Sequence, residues 1–455
     1  MLVPTLWGHV LSLLDGPLSL LVAEVHSGAA SAVDLTREAL DRAEARNPAI
    51  NAICGINPAA LDEAGTVEAR IKAGEALPLA GIPVLIKDNI WVKGMRVAQG
   101  SNLFADHIAP DDAEAVARLR QAGAVVIGIA TCTEFACKGA GSSLLHGTTR
   151  NPVDLKLTPG GSSSGSVAAV AAGIVPLALG TDAGGSTRRP PAHTGLCGLK
   201  PTQDLIPYGP GFDEPVWGIS VICPVAHRMA DIALAMGVLG GLRPAKTPTQ
   251  AIAISADFGT GQPLDTDVAA NFDAVVTALK AAGIKISNAD IHWPGDIKGQ
   301  DIQPLQYAGL AQLYGDKWKQ RPKIFDPALG EQIAAGLALS GVEVAAAHQV
   351  SHKMRDTLCA ALNKHSFIAT PTTPCVAWPA AQNAPSEIGG QPAAARDHAA
   401  FTPQINHAGV PALSIPCGKD SQGRPLGLQL IAQAGADADL IAFGQALEPI
   451  LQEVT

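Results

Sequence analysis

Pro159-Gly160-Gly161-Ser162-Ser163-Ser164-Gly165-Ser166 opens a stretch that closes at Gly180-Thr181-Asp182-Ala183-Gly184-Gly185-Ser186. Between these two glycine–serine runs, residues 164–172 are small and alanine-rich, which suits a helix packed closely on a sheet. Residues 174–179 then return as an apolar strand that delivers Thr181 to Ser186 at its end. A helix followed by a strand is the repeating unit of α/β proteins. The alternation extends outward on both sides. Upstream, Ser31-Ala32-Val33-Asp34 reads as a capping box opening a helix to about residue 46. A helix over 59–73, a strand over 82–86, a helix over 111–121 and a strand over 125–129 follow. Downstream come a strand at 251–254, a helix at 267–282, a strand at 284–286, mostly helical sequence to 365, and strands at 367–374 and 426–431. The expected fold is α/β: one large domain, residues 1–455, with a central mixed β-sheet covered by helices on both faces. No repeat or low-complexity linker divides it.

Bulk properties narrow the function. The 455 residues are 47% hydrophobic and 16% charged, the balance of a well-packed globular protein. A formal net charge of −9 argues against direct binding of a nucleic-acid backbone. The eight cysteines are scattered, with no CxxC pair, which speaks against a structural zinc site and for a reducing cytoplasm. The apolar opening, residues 1–25, lacks a basic start and is interrupted by Asp15; it reads as packed helix, not as a leader or membrane span.

Three residues carry the candidate chemistry. Ser186 follows a strand and the glycine turn Asp182-Ala183-Gly184-Gly185. Successive N–H groups in such a turn can converge on one point and form an oxyanion hole, where one donor contributes about 3 kcal/mol to the transition state. The competing reading is a tight turn bearing a solvated serine. Ser162 lies in the first run, where Gly160 and Gly161 permit unusual backbone. Ser164 and Ser166 read as caps of the following helix. The run also matches the G-x-S-x-G elbow, but an elbow follows a strand, and residues 151–158 are polar turn; a P-loop would require a lysine that is missing. Lys87 ends the apolar run Ile82-Pro83-Val84-Leu85-Ile86. As a general base at neutral pH it needs a pKa lowered by roughly three units from about 10.4, which burial can supply. Its competing reading is an ion pair with Asp88.

Taken together, these residues resemble the amidase signature family. The likeness is dense over residues 79–231, which would hold the catalytic motifs, and resumes at 371–374 and 406–429. The spacing fits the family: 75 residues from Lys87 to Ser162 and 24 from Ser162 to Ser186. The resemblance implies a cofactor-free, metal-free hydrolase of carboxamide C–N bonds. By position, Ser186 corresponds to the nucleophile, Ser162 to a bridging serine after a cis Gly161–Ser162 bond, and Lys87 to the base. The amides of Ala183, Gly184, Gly185 and Ser186 correspond to the oxyanion hole.

Several positions depart from the family pattern: Ser164-Gly165 where two glycines are common, Thr187 after the nucleophile, Pro190-Pro191, and Cys223 and His227. Arg188 reads as structural, paired with Asp182. Arg189 reads either as a clamp for a substrate carboxylate or as a solvent-facing arginine at a helix start. The family's substrate pocket draws on residues 131–146 and on the variable region 240–365, so Cys132 and His146 are candidate lining residues beside Arg189; core packing is the alternative for Cys132 and Cys137. The expected partner is a small-molecule amide, with no nucleic acid and no membrane, and a homodimer is compatible with the resemblance. The preferred reading is a stand-alone amidase. The alternative is the glutaminase (A-type) subunit of a glutamine-dependent amidotransferase acting on mischarged transfer RNA. A third is a silent binding protein on the same fold, which the filled triad positions disfavour.

Overall fold

The computed structural model describes residues 12–245, 251–294 and 299–454. Eleven strands form one sheet. In chain order they are β1 (Ile53–Ile56), β2 (Pro83–Lys87), β3 (Val125–Ala130), β4 (Leu177–Asp182), β5 (Cys197–Lys200), β6 (Val221–Ala226), β7 (Ala251–Ile254), β8 (Lys285–Asn288), β9 (Phe367–Pro371), β10 (Ala412–Lys419) and β11 (Pro425–Ala432). Across the sheet the order is β1-β3-β2-β4-β6-β5-β10-β11-β9-β7-β8. β3, β2 and β4 run parallel to one another, as do β9, β7 and β8, and the pairings between these two blocks are antiparallel. The sheet is therefore mixed, as expected.

Every residue of β2, β3, β4 and β6 is buried. Side chains alternate between faces along a strand, so both faces there are covered, and β2 and β3 read as near-continuous apolar runs. Helix Ser164–Ala171 packs on β2, β3 and β4, and helix Asp437–Gln452 on β10 and β11. Strands from both ends of the chain meet in the middle of the sheet, where β5 pairs with β10.

Some expected elements shift. The strand expected at 174–179 runs from Leu177 to Asp182 because Pro176 cannot donate to the ladder, so pairing starts after it. Thr181 and Asp182 are thus strand residues. Ser31 does cap helix Ala32–Ile50, its hydroxyl accepting from the Asp34 amide at 3.1 Å, but its own proton goes to Glu68 and Asp34 pairs with Arg37. Of residues 1–25, those from 1 to 11 lie outside the described residues; Leu18–Ser27 is a helix whose Leu18, Leu21 and Val25 enter the main core. In region 240–365, residues 246–250 and 295–298 are likewise outside; the described remainder holds β7, the expected helix Thr266–Ala281, the edge strand β8, and then helices Gln303–Gln320, Pro327–Ala338 and Gly341–Lys364. Among the described residues, no single helix is long and apolar enough to cross a membrane.

Candidate active site

β2 and β4 are parallel neighbours with Ile86 opposite Leu179, so both strands end on the same side of the sheet. That register sets Lys87 beside Thr181. Helix Ser164–Ala171 starts just above, and its preceding turn carries Ser162 and Ser163. Lys87 has no exposed surface, and its ammonium donates to Ser162 Oγ at 2.7 Å, Thr181 Oγ1 at 2.8 Å and Ser163 Oγ at 3.0 Å. Asn89 Nδ2 supports Thr181 Oγ1 at 3.0 Å. These partners are neutral. Burial therefore dominates and pulls the Lys87 pKa down to about 8. The pairing with Asp88 is overturned: that carboxylate accepts from the Ala98 and Gly100 amides and from His146 Nε2.

The Gly161–Ser162 peptide bond is cis. Ser162 and Ser186 both line one cavity of about 490 Å³, together with Asn89, Thr181, Ala183 and Gly184. The capping role expected of Ser164 and Ser166 is not seen. Both hydroxyls sit inside the first turn of the helix; Ser166 donates to Leu179 O, and Ser164 Oγ is buried without a partner.

The turn carrying Ser186 is held by an ion pair buried at 0% exposure on both sides, Asp182 with Arg188. Arg188 donates to both carboxylate oxygens, to Gln429, to Asn406 and to Thr402 O. Burial alone would raise the Asp182 pKa; the Arg188 charge and these hydrogen bonds outweigh it and hold the carboxyl well below the usual range. Asp182 also accepts from the Gly185 amide at 2.7 Å and the Thr187 amide at 3.1 Å. The Gly185 N–H, expected in the oxyanion hole, is thus committed to fixing the turn.

Arg189 is not the solvent-facing arginine considered from sequence. It is 3% exposed and lines the cavity. Thr402 and the loop around His398 cover it: Nη1 donates to His398 Nδ1 at 2.7 Å and Nη2 reaches Gly161 O at 3.4 Å. Cys132 and His146, by contrast, do not line the cavity. Cys132 is buried in the core, and His146 is drawn off by Asp88. Cys137 does line it, as do Thr260 and Leu305 from the variable region. Cys54, Asp88 and His146 bring ligand atoms within 4.8 Å of one another, but Asp88 is already engaged by two amides and the imidazole.

The family model for amidases matches residues 34–441. The chain belongs to the amidase family. This amidase is 32% identical to the A-type subunit of the glutamyl-tRNA(Gln) amidotransferase of Deinococcus radiodurans, over 94% of its own length and 96% of the relative's. It is 34% identical to the corresponding protein of Chloroflexus aggregans, covering 93% and 94%. An amidase crystal structure superposes with a TM-score of 0.87 at 28% identity, covering 95% of this chain and 99% of that one. The native peptide amidase of Stenotrophomonas maltophilia gives 0.77 at 25% identity, covering 97% and 98%. As a member of the family, this amidase is an enzyme acting on amide C–N bonds.

Ser163, Thr181 and Asn89, which complete the lysine cage, were missed from sequence. Asn89 lies two residues past Lys87 in the turn that the Ile90 amide closes onto Lys87 O, so strand alternation gave no signal for it. Asn406, Gln429 and Thr402 gave none, because they reach the Asp182 turn from over two hundred residues away.

Proposed function

We propose that this amidase hydrolyses a small carboxamide that also bears an acid, through an acyl-enzyme on Ser186, acting as a stand-alone enzyme. The observation that carries the mechanism is the buried Lys87 ammonium, 2.7 Å from Ser162 Oγ and lowered to about 8. In its neutral form Lys87 accepts the Ser162 proton while Ser162 accepts that of Ser186. Ser186 Oγ attacks the amide carbon, and the oxygen that becomes anionic rests on the amides of Ala183, Gly184 and Ser186. Collapse expels the nitrogen, which takes the proton returned through Ser162, since an amine departs poorly as an anion. Water then adds to the acyl-enzyme by the same relay and releases the acid. The logic is that of a catalytic triad with lysine as the base.

The acid in the substrate is supported by Arg189. It lines the cavity three residues after Ser186, and among the described residues it has no carboxylate partner. A buried unpaired cation is costly, and a substrate carboxylate would relieve that cost. The test is ammonia release by the purified chain from acidic and neutral amides and from glutamine. Acidic amides are expected to win, and Arg189→Ala to lower their kcat/KM about 10–100-fold while sparing neutral ones. Equal rates for both classes, unchanged by Arg189→Ala, would remove the acid.

A second reading rests on the relatives that are A-type amidotransferase subunits. In it the chain is a glutaminase that works with partner subunits. Thr187 and Pro190-Pro191, which depart from the family pattern beside the nucleophile, favour the stand-alone enzyme. Negligible turnover of simple amides by the chain alone, together with copurifying subunits, would favour the second reading.

A further inference from the structure

The two neighbouring arginines at the start of helix Arg189–Thr194 are held in opposite ways. Arg188 is neutralised by Asp182 and spends its donors on fixed protein acceptors. Arg189 meets an imidazole instead. Because His398 Nδ1 accepts from Arg189 Nη1, that ring nitrogen carries no proton, and the ring is neutral. Burial, with the charges of Arg189 and Arg396 behind it, keeps His398 from charging. The contact therefore orients the guanidinium without cancelling its charge. The Arg189 Nε is buried with no hydrogen-bond partner.

A second guanidinium, that of Arg396, lines the same cavity, close enough for its charge to act on Arg189. Arg396 donates to Cys137 O at 2.9 Å and has no carboxylate partner among the described residues. Burial and then the nearby Arg396 charge lower the Arg189 pKa, to about 9, which leaves it charged at neutral pH. His398 itself has no room to move. Its ring packs on Trp378 with centroids 4.9 Å apart, and a methyl added at Gly139 would sit 2.2 Å from its Cε1. Arg189 Nη2 also reaches Gly161 O, one residue from Ser162, so this guanidinium adjoins the reacting serines.

We infer that Arg189 and Arg396 form a two-guanidinium anion site for a small carboxylate, and that His398 is its positioning residue, a neutral acceptor that aims Arg189 while leaving its charge for the ligand. The inference rests on the acid-bearing substrate proposed above and names what builds its recognition site. The second N–H on each terminal nitrogen of Arg189, beyond those given to His398 and Gly161, together with the head of Arg396, suits a compact dicarboxylate skeleton with one acid amidated.

The experiment follows labelling of Ser186 by an uncharged fluorophosphonate, read by mass spectrometry on the full chain. Malonate, succinate and glutarate are the probes, and butane-1,4-diol is the uncharged control. At least one diacid protects Ser186 at a concentration about 10–100-fold below that of the diol. His398→Phe keeps the ring on Trp378 but offers no acceptor, and raises the protective diacid concentration about tenfold without moving that of the diol. His398→Gln, whose amide oxygen again accepts from Arg189, restores it. Arg396→Gln raises it about tenfold and carries the test should His398→Phe not fold. Diacids protecting no better than the diol in the native chain would overturn the inference, as would a His398→Phe effect equal for diacid and diol. A native chain whose Ser186 does not label at all would remove the hydrolase reading itself, a distinguishable failure.

Discussion

Lys87 is a cation whose surroundings favour its neutral form. Three hydroxyls accept its protons and no carboxylate pairs with it among the described residues, so desolvation decides its pKa. With that pKa at about 8, about a tenth of the molecules hold a neutral base at pH 7. The expected kcat/KM therefore rises with pH and levels off above an apparent pKa of about 8; a profile flat from pH 6 to 9.5 would exclude Lys87 as the base. The same residue makes a stability statement. Its folded pKa lies below its unfolded value of about 10.4, so between these two pH values the unfolded chain binds more protons and stability rises with pH. Between pH 7 and 10.5, native protein should gain about 2–3 kcal/mol relative to Lys87→Met in denaturant titrations, and parallel curves would contradict this. Asp182, whose pKa is also depressed, has the same sign of pH dependence in a far more acidic window. Its contribution is present above its unfolded value of about 3.9 and is lost only as pH falls through its depressed folded value. Asp182→Asn strands the fully buried Arg188 and should cost about 3–5 kcal/mol; a loss under 1 kcal/mol would show that the pair is dispensable.

At the scale of elements, the site depends on how closely helix Ser164–Ala171 approaches the sheet. Gly165 makes that approach possible: a Cβ there would lie 2.3 Å from Ala52 O and 2.4 Å from Thr131 N, both backbone atoms that cannot step aside. Gly165→Ala should lower stability by about 2–3 kcal/mol and push Ser162 and Ser163 away from Lys87, whereas Gly184→Ala meets only Pro403 Cγ at 3.9 Å and should leave the melting temperature within about 2 °C. Equal effects of the two changes would contradict this packing account. The alanine-rich helix and the strands β2, β3 and β9 were legible because their apolar runs are unbroken. β6 and β10 were not, since Pro224 and Pro416 sit inside them and argue locally against a strand; tertiary pairing overrides that signal. β1 and β5 are four residues each and contain Gly55 and Gly198, too short and too broken to show a period.

For the whole molecule, the sheet order is the main constraint. β5 and β6 from the middle of the chain lie between β4 and β10, and β7 and the edge strand β8 come from the variable region, so no cut along the sequence divides the sheet cleanly. The reading of residues 1–455 as one domain predicts a single cooperative transition in calorimetry; two separable transitions would contradict it. The proposed triad positions were legible in sequence because each sits in its own short motif. The cavity wall could not, because it is gathered from separate stretches around Asn89, Phe135, Tyr208, Thr260, Leu305 and Arg396. Burial of Arg189 likewise depends on residues from the far end of the chain, His398 and Thr402. The proposed chemistry comes down to one hydroxyl armed by a buried amine through another. Peptide-level mass spectrometry of fluorophosphonate-treated protein reads that most directly. An adduct on Ser186 alone, strongly slowed in Lys87→Ala and in Ser162→Ala, is the predicted result; an unmodified Ser186 in protein that still releases ammonia would contradict it.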